Sequence, residues 1–218
     1  MIQPLRVAVT KGRLLKKSME MFDAAGADSS ALAAPGRRLI LPVSFLESER
    51  NFEVVLAKAP DVITYVEHGV CDLGIVGKDT VLESGGSFYE VLDLGFGACR
   101  FALAAREGED FFGPMHHRTV ASKYPRVTRR YFEKKGMDVD IIRIEGSVEL
   151  APILGLADGI VDIVETGDTL RENGLLPIET VARVSARLIA NIAAVKTKRE
   201  QVMRFIRLCE EALECSQS

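Results

Sequence analysis

A chain of 218 residues, 47% apolar and 27% charged, is long enough to bury a sizeable core, as one large domain or as two small lobes. Its net charge of −3 excludes nucleic acid as the main partner, since no strongly basic face is guaranteed, so any anionic ligand must be met by local Lys and Arg clusters. The four cysteines, Cys71, Cys99, Cys209 and Cys215, show no CxxC pairing; with no signal-peptide pattern over Met1 to Thr10 and no apolar run of about 18 residues, they predict a soluble cytoplasmic protein with reduced thiols and no membrane contact.

Leu5 to Val9 reads as a strand and ends at Thr10-Lys11-Gly12-Arg13. Leu14 to Ala25 follows as a helix, with Leu14, Leu15, Met19 and Phe22 near one face. Lys11 and Arg13 can hold phosphate oxygens, Arg as a fork and Lys as a point charge; two cations on a turn are more often simply solvated. Asp28 to Arg38 is rich in Ala, Ser, Pro and Gly and predicts a loop, with Leu39-Ile40-Leu41 opening a strand. Phe52 to Ala57 predicts another strand, followed by Lys58. Asp61 to His68 predicts a short helix capped by Asp61 and stopped by Gly69.

The next segment, Val70 to Glu83, has a counterpart further on. Gly69, Asp72 and Gly77 fall 90 residues before Gly159, Asp162 and Gly167, and Asp79-Thr80 matches Asp168-Thr169 after a one-residue slip. Each segment reads as helix, glycine, strand with one Asp, then a Gly-Asp-Thr turn into a helix. Two similar α/β lobes are the expectation. Glu90 to Leu94 and Cys99 to Ala105 predict strands. Arg106 to Arg118 predicts a loop with His116 and His117 exposed, because no partner stands at metal-ligand spacing. Thr119 to Ala121 predicts a strand, Tyr124 to Lys135 an amphipathic helix ended by Gly136, Asp140 to Ile144 a strand and Leu150 to Ala157 a helix.

Gly159 to Asn173 then begins with the β-branched run Ile160 to Val164, which favours a buried strand. It breaks at Thr166-Gly167-Asp168-Thr169, and Thr169 with Glu172 fits a capping box. A hydroxyl- and glycine-rich turn after a strand gathers free N–H groups and suits a phosphate; it equally suits an ordinary βα turn whose threonines cap a helix. Asp162 and Glu165 stand where sugar hydroxyls can be held. Glu179 to Ile192 predicts one or two strands, and Lys198 to Glu214 a strong amphipathic helix. Alternating strands and helices indicate mainly parallel α/β sheets, with ligands at the strand carboxyl ends and in an inter-lobe cleft.

Four turns are candidates to line such a cleft: Lys11-Gly12-Arg13, Asp72 to Asp79, Gly146-Ser147 and Glu165 to Thr169. Cations, anion-binding turns and carboxylates together fit a phosphorylated sugar or nucleotide with a divalent cation. Neither G-x-S-x-G, H-E-x-x-H, a Walker A loop nor a Rossmann G-x-G-x-x-G is present, which lowers the standing of hydrolase and dehydrogenase readings. A non-catalytic two-lobed binding module for a phosphorylated small molecule is the alternative, though neither a secretion signal nor a helix-turn-helix accompanies it.

Six stretches, Thr10 to Leu14, Leu56-Ala57-Lys58, Thr64 to Gly69, Asp72 to Asp79, Gly146 to Pro152 and Asp162 to Leu170, resemble in order those of the ATP phosphoribosyltransferase family, in its short form. The resemblance runs from about Leu5 to Lys198. It implies a two-lobed, periplasmic-binding-protein-like (type II) fold, with residues 1–98 and 187–218 as the nucleotide-side lobe and 99–186 as the phosphoribosyl pyrophosphate side. The implied reaction joins N1 of the adenine of ATP to C1 of phosphoribosyl pyrophosphate and releases pyrophosphate, the first step of histidine biosynthesis.

By the same resemblance, Glu165, Thr166, Gly167, Asp168 and Thr169 cradle the 5-phosphate, with Asp162 and Glu165 near the ribose or structurally behind it, and Ser147 also binds phosphoribosyl pyrophosphate. Lys11, Arg13 and Lys58 face ATP or pyrophosphate, Asp72 and Leu73 border the nucleotide, and Lys11, Arg13 and Glu149 are the catalytic candidates. Arg100 and Arg187 are further cations. Mg2+ is expected, held mainly by substrate phosphates. Glu145 stands where the family usually has Asn, and Asp168 where a neutral or basic residue is common. The chain's end after the Lys198–Glu214 helix leaves no room for a histidine-binding domain. That implies a homodimer of catalytic chains in a hetero-oligomer with a separate regulatory subunit resembling histidyl-tRNA synthetase, and low or histidine-insensitive activity without it.

Overall fold

The computed structural model describes residues 4–45, 48–113 and 117–215, so His116 lies outside the described residues. Two compact units form: the chain up to Gly97 together with the chain from Ser185 onward, and Ala98–Val184.

The first unit opens with β1 (Leu5–Thr10), α1 (Arg13–Ala24), β2 (Ala27–Asp28), α2 (Ser30–Ala33), β3 (Ile40–Phe45), β4 (Ser48–Ala57), α3 (Ala59–Glu67), β5 (Leu73–Gly77), α4 (Lys78–Ser84) and β6 (Tyr89–Asp93). The stretch expected as a loop over Asp28–Arg38 thus holds the end of a short strand and one helical turn. Helix α3 begins two residues before Asp61, with Lys58 as its N-cap and Pro60 in its first turn, where a missing N–H costs nothing. After the second unit the chain returns as β12 (Ala186–Ala190), α8 (Ile192–Thr197) and α9 (Arg199–Cys215).

Among the described residues this unit's sheet runs β2-β3-β4-β1-β5-β12-β6. The centre, β4-β1-β5, is parallel, while the flanking ladders are antiparallel. The sheet is therefore mixed, because a hairpin supplies one edge and the returning β12 inserts antiparallel to β5. Phe22 of α1, Phe52 of β4 and Phe205 of α9 stack edge-on, with Phe52 5.2 Å from each of the other two ring centroids. These rings bury the apolar face of α9 against the sheet and fix the returning segment to the first unit.

The second unit comprises β7 (Cys99–Arg106), β8 (Arg118–Ser122), α5 (Pro125–Lys134), β9 (Val139–Arg143), α6 (Leu150–Ile153), β10 (Gly159–Val164), α7 (Asp168–Glu172) and β11 (Leu175–Val184). Its sheet order is β11-β7-β10-β8-β9, parallel through β10-β8-β9 and antiparallel at β7 and β11. Helix α6 is shorter than the span expected over Leu150–Ala157; Gly155 in the left-handed region ends it. The β-branched run read at Ile160 to Val164 is a strand with a largely buried face. Among the described residues no helix is long and apolar enough to cross a membrane.

Candidate functional site

In the second unit the carboxyl ends of β8, β9 and β10 lie on one edge of the sheet, so the loops that leave them start side by side. From β10 comes Glu165-Thr166-Gly167, then α7. The capping box expected at Thr169 does not form: α7 starts at Asp168, its N-cap is Gly167, and no side chain caps it. Gly167 sits at φ 85°, ψ 7°, a left-handed conformation that a Cβ strains. Among the described residues the N–H groups of Thr166 and Gly167 make no backbone–backbone turn or loop hydrogen bond. Thr166 and Thr169 are exposed. The turn thus carries two exposed threonines around a buried, left-handed glycine, a hydroxyl- and N–H-bearing turn of the kind that receives an oxyanion.

The Asp168 side chain is held within the turn. One oxygen accepts the Thr166 hydroxyl at 2.6 Å and the other accepts the Arg171 guanidinium. These bonds, Thr166 first and then Arg171, hold its carboxyl below the usual carboxylate range. Glu145, the other unexpected residue, pairs with Arg143 at 2.7 Å, both well exposed.

Asp162 lies two residues before the end of β10. Burial raises its pKa; the Ile163 N–H, 2.8 Å away, lowers it, the Glu149 carboxylate raises it and the Lys123 ammonium lowers it. Glu149, from the loop after β9, and Lys123, from the loop after β8, thus both act on Asp162. The register agrees: Ile160 pairs with Ala121, which carries Asp162 level with Lys123 two residues beyond the pair. Ser122 anchors this crossing, donating to the Val161 carbonyl at 2.5 Å and accepting from the Tyr124 N–H at 2.9 Å. Ser147 is exposed in the same loop as Glu149. A half-buried carboxylate pair beside a lysine and an open anion turn can hold a phosphorylated, hydroxyl-bearing ligand.

In the first unit the corresponding edge carries Lys11, Gly12 and Arg13 after β1 and Lys58 after β4. The Lys11 N–H donates to the Ala57 carbonyl at 3.0 Å, which brings these two basic loops together. Lys11, Arg13 and Lys58 are all exposed. Gly12 adopts φ 86°, ψ −137°, a conformation open essentially to glycine alone, and it lets the chain turn from β1 straight into α1.

Asp72 and Leu73 are not brought to this edge. They stand at the amino end of β5, beside Arg6 at the start of β1. The Asp72 carboxylate accepts the Arg6 N–H at 2.9 Å and pairs with Lys198 at 2.9 Å, while its backbone carbonyl accepts the Asn191 N–H. Leu73 is fully buried in the core. Both residues tie the returning C-terminal segment to the sheet. Arg187 is likewise structural, paired with Glu90 at 3.4 Å and Asp93 at 2.5 Å. Arg100 pairs in register with Val164, at the end of β10 that feeds the Glu165-Thr166-Gly167 turn, and donates to Thr180 at 2.9 Å.

Lys123 and Arg171 were not among the candidates read from sequence. Lys123 follows a strand and precedes a helix, the one local signal for it; Arg171 was indistinguishable from a solvated helix cation. Among the described residues no group of three or more His, Cys, Asp or Glu is placed to hold a metal ion.

The fold defines an α/β protein of the periplasmic-binding-protein architecture. The aliphatic sulphonate binding protein SsuA of Escherichia coli shares that fold, with a TM-score of 0.59 at 13% identity, covering 100% of this chain and 70% of its own. The chain belongs to the ATP phosphoribosyltransferase family: the family model described as HisG, ATP phosphoribosyltransferase, matches residues 58–211. The ATP phosphoribosyltransferase of Clostridium kluyveri is 54% identical over 202 residues, 93% of this chain and 90% of its own length. That of Clostridium botulinum is 50% identical over 209 residues, 96% and 98% respectively. A solved ATP phosphoribosyl transferase (HisG:HisZ) complex from Thermotoga maritima superposes with a TM-score of 0.79 at 35% identity, covering 96% of this chain and 98% of that one.

Proposed function

We infer that this enzyme transfers the phosphoribosyl group of 5-phosphoribosyl 1-pyrophosphate to N1 of the adenine of ATP, the first step of histidine biosynthesis. The observation that supports the site assignment best is the open, left-handed turn Thr166-Gly167 beside the Asp162–Glu149–Lys123 cluster. In this reading Thr166, Gly167 and Thr169 take the 5-phosphate, with Ser147, Glu165 and Asp162 toward the ribose.

The bond from adenine N1 to C1 forms as the bond from C1 to the pyrophosphate oxygen breaks, and the electron pair leaves with pyrophosphate. The N1 lone pair carries no proton to remove, so no strong general base is required. The barrier lies in gathering two polyanions and in the positive charge that develops at the sugar. The carboxylate of Glu149, with Asp162 behind it, stabilises the oxocarbenium-like sugar, and Lys11, Arg13 and Lys58 meet the phosphates of ATP and the departing pyrophosphate.

A magnesium ion suits this donor set when substrate oxygens supply most of its ligands, because Glu149 and Asp162 repel one another and a cation relieves that repulsion. Bound so, it neutralises charge on the pyrophosphate. A cytoplasmic location fits the reaction. The complex from Thermotoga maritima supports a hetero-oligomer with a second, regulatory subunit; in this reading that subunit resembles histidyl-tRNA synthetase and the catalytic chain is itself a homodimer.

Mixing the protein with ATP, Mg2+ and phosphoribosyl pyrophosphate tests the reading, following pyrophosphate release and the ribosylated adenine chromophore. Turnover of both is expected; silence even with the regulatory subunit present would overturn it. Strong histidine inhibition of the isolated chain would count against the separate regulator.

A further inference from the structure

Asp168 is an unexpected residue for a phosphate turn, since a carboxylate repels a dianion. Its contacts explain how it is tolerated. It takes the Thr166 hydroxyl at 2.6 Å and the Arg171 guanidinium. A Cβ built on Gly167 would stand 3.4 Å from Arg171 Nη1, so the guanidinium lies against the turn's own glycine. Between Glu165 and Glu172, Arg171 is the cation in a segment that otherwise carries Glu165, Asp168 and Glu172. A dianion settling on Thr166 and Gly167 needs that charge close by.

We propose that Arg171 is the cation of the 5-phosphate turn and Asp168 its resident counter-anion, which surrenders Arg171 and the Thr166 hydroxyl to the phosphate as substrate binds. The proposal rests on the reading that this turn takes the 5-phosphate. The exchange is easy on both sides. Asp168 and Arg171 are 63% and 54% exposed in their side chains, and such solvated pairs contribute little to stability. A guanidinium gains more from a phosphate, which it can grip in a fork with two charge-assisted bonds. Thr166 is suited to the exchange because a hydroxyl that donates to a carboxylate can rotate and donate to a phosphate oxygen. Asp168 keeps the turn ordered when empty and lowers its affinity when filled.

The test is calorimetric titration of the full chain with phosphoribosyl pyrophosphate and Mg2+, set against titration with ATP. Asp168→Asn is expected to tighten phosphoribosyl pyrophosphate about 3- to 10-fold. Arg171→Gln should weaken it about 10-fold or more, with Arg171→Lys recovering part of the loss because charge returns without the fork. Affinity for ATP should stay unchanged in all three. Weaker or unchanged binding in Asp168→Asn would overturn the proposal, making the carboxylate a preorganising clamp or a bystander; Asp168→Ser repeats the test without an amide. Should Thr169→Val weaken phosphoribosyl pyrophosphate while Arg171→Gln does not, the proposal alone fails. Should neither move it, the 5-phosphate assignment fails with it.

Discussion

Two turns written almost alike in sequence have been put to different uses. Gly77-Lys78-Asp79-Thr80 and Gly167-Asp168-Thr169 each close a strand and open a helix. The first is fastened shut. Gly77 is in the ordinary extended region at φ −68°, the Lys78 N–H donates to the Ser185 carbonyl at 2.9 Å, and the Lys78 ammonium pairs with Glu90. Asp79 folds back over Gly77 so closely that a Cβ there would meet its carboxylate oxygen at 2.0 Å. In the second turn the glycine is left-handed, Thr166 and Thr169 are exposed, and Asp168 pairs with the Thr166 hydroxyl and with Arg171. A similar motif thus becomes a joint tied into the sheet in one unit and an exposed turn held by its own local contacts in the other.

The glycines give the largest expected contrast. Gly167→Ala forces a side chain into φ 85° and displaces the turn, so kcat/KM for phosphoribosyl pyrophosphate should fall about 100-fold or more. Gly77→Ala meets no backbone strain and need only push aside the Asp79 side chain. It should lower stability by about 1 kcal/mol and leave the KM for each substrate within about twofold of wild type. Equal losses of phosphoribosyl pyrophosphate turnover in the two variants would erase the distinction.

The aspartates sharpen it. Asp72→Ala strips a nearly buried carboxylate from Lys198 and the Arg6 N–H, leaving two donors unmet. About 3 kcal/mol of stability should go, read by urea unfolding, with ATP affinity intact in the folded protein. A selective loss of ATP binding at unchanged stability would return Asp72 to the nucleotide site. Thr166→Val with Thr169→Val should weaken phosphoribosyl pyrophosphate about 10-fold, the scale of a hydrogen bond to a charged group, and ATP not at all. Titrating both substrates decides it, and equal weakening of the two would count against the phosphate turn.

Much of this was legible in the chain. The β-branched runs at Val7, Val54 and Ile160 and the apolar faces of α1 and α9 follow from periodicity, and the family stretches pointed to two units. The end of the sheet at which a residue stands was not legible. Asp72 precedes its strand, at the amino end, whereas Asp162 lies near the carboxyl end of its own, and a local pattern that places one Asp in each strand does not say at which end it stands. Nor does a local pattern reveal that β12 crosses back to pair antiparallel with β5, the step that makes Lys78 and Arg187 structural. Lys123 escaped notice because it falls between a predicted strand and a predicted helix, where its meaning comes from parallel pairing with β10.

The smallest effect concerns Asp162 itself. Burial, with Glu149's charge adding to it, raises its folded-state pKa above the ordinary carboxylate value. The folded protein therefore holds that proton more tightly than the unfolded chain does, and stability is lost as pH climbs from about 4, where the unfolded carboxyl titrates, through the higher folded value. Asp162→Asn removes the titration. Below pH ~4 the variant and wild type should differ little in their response to pH. Above the folded value the variant should be the more stable, by on the order of 0.5 kcal/mol at neutral pH, while turnover drops. Thermal unfolding of both proteins across this pH range checks the sign. A variant that loses stability at neutral pH would show Asp162 to be a structural carboxylate like Asp72. One that gains stability and loses turnover shows a charge retained against the fold, as ionisable groups at working sites are.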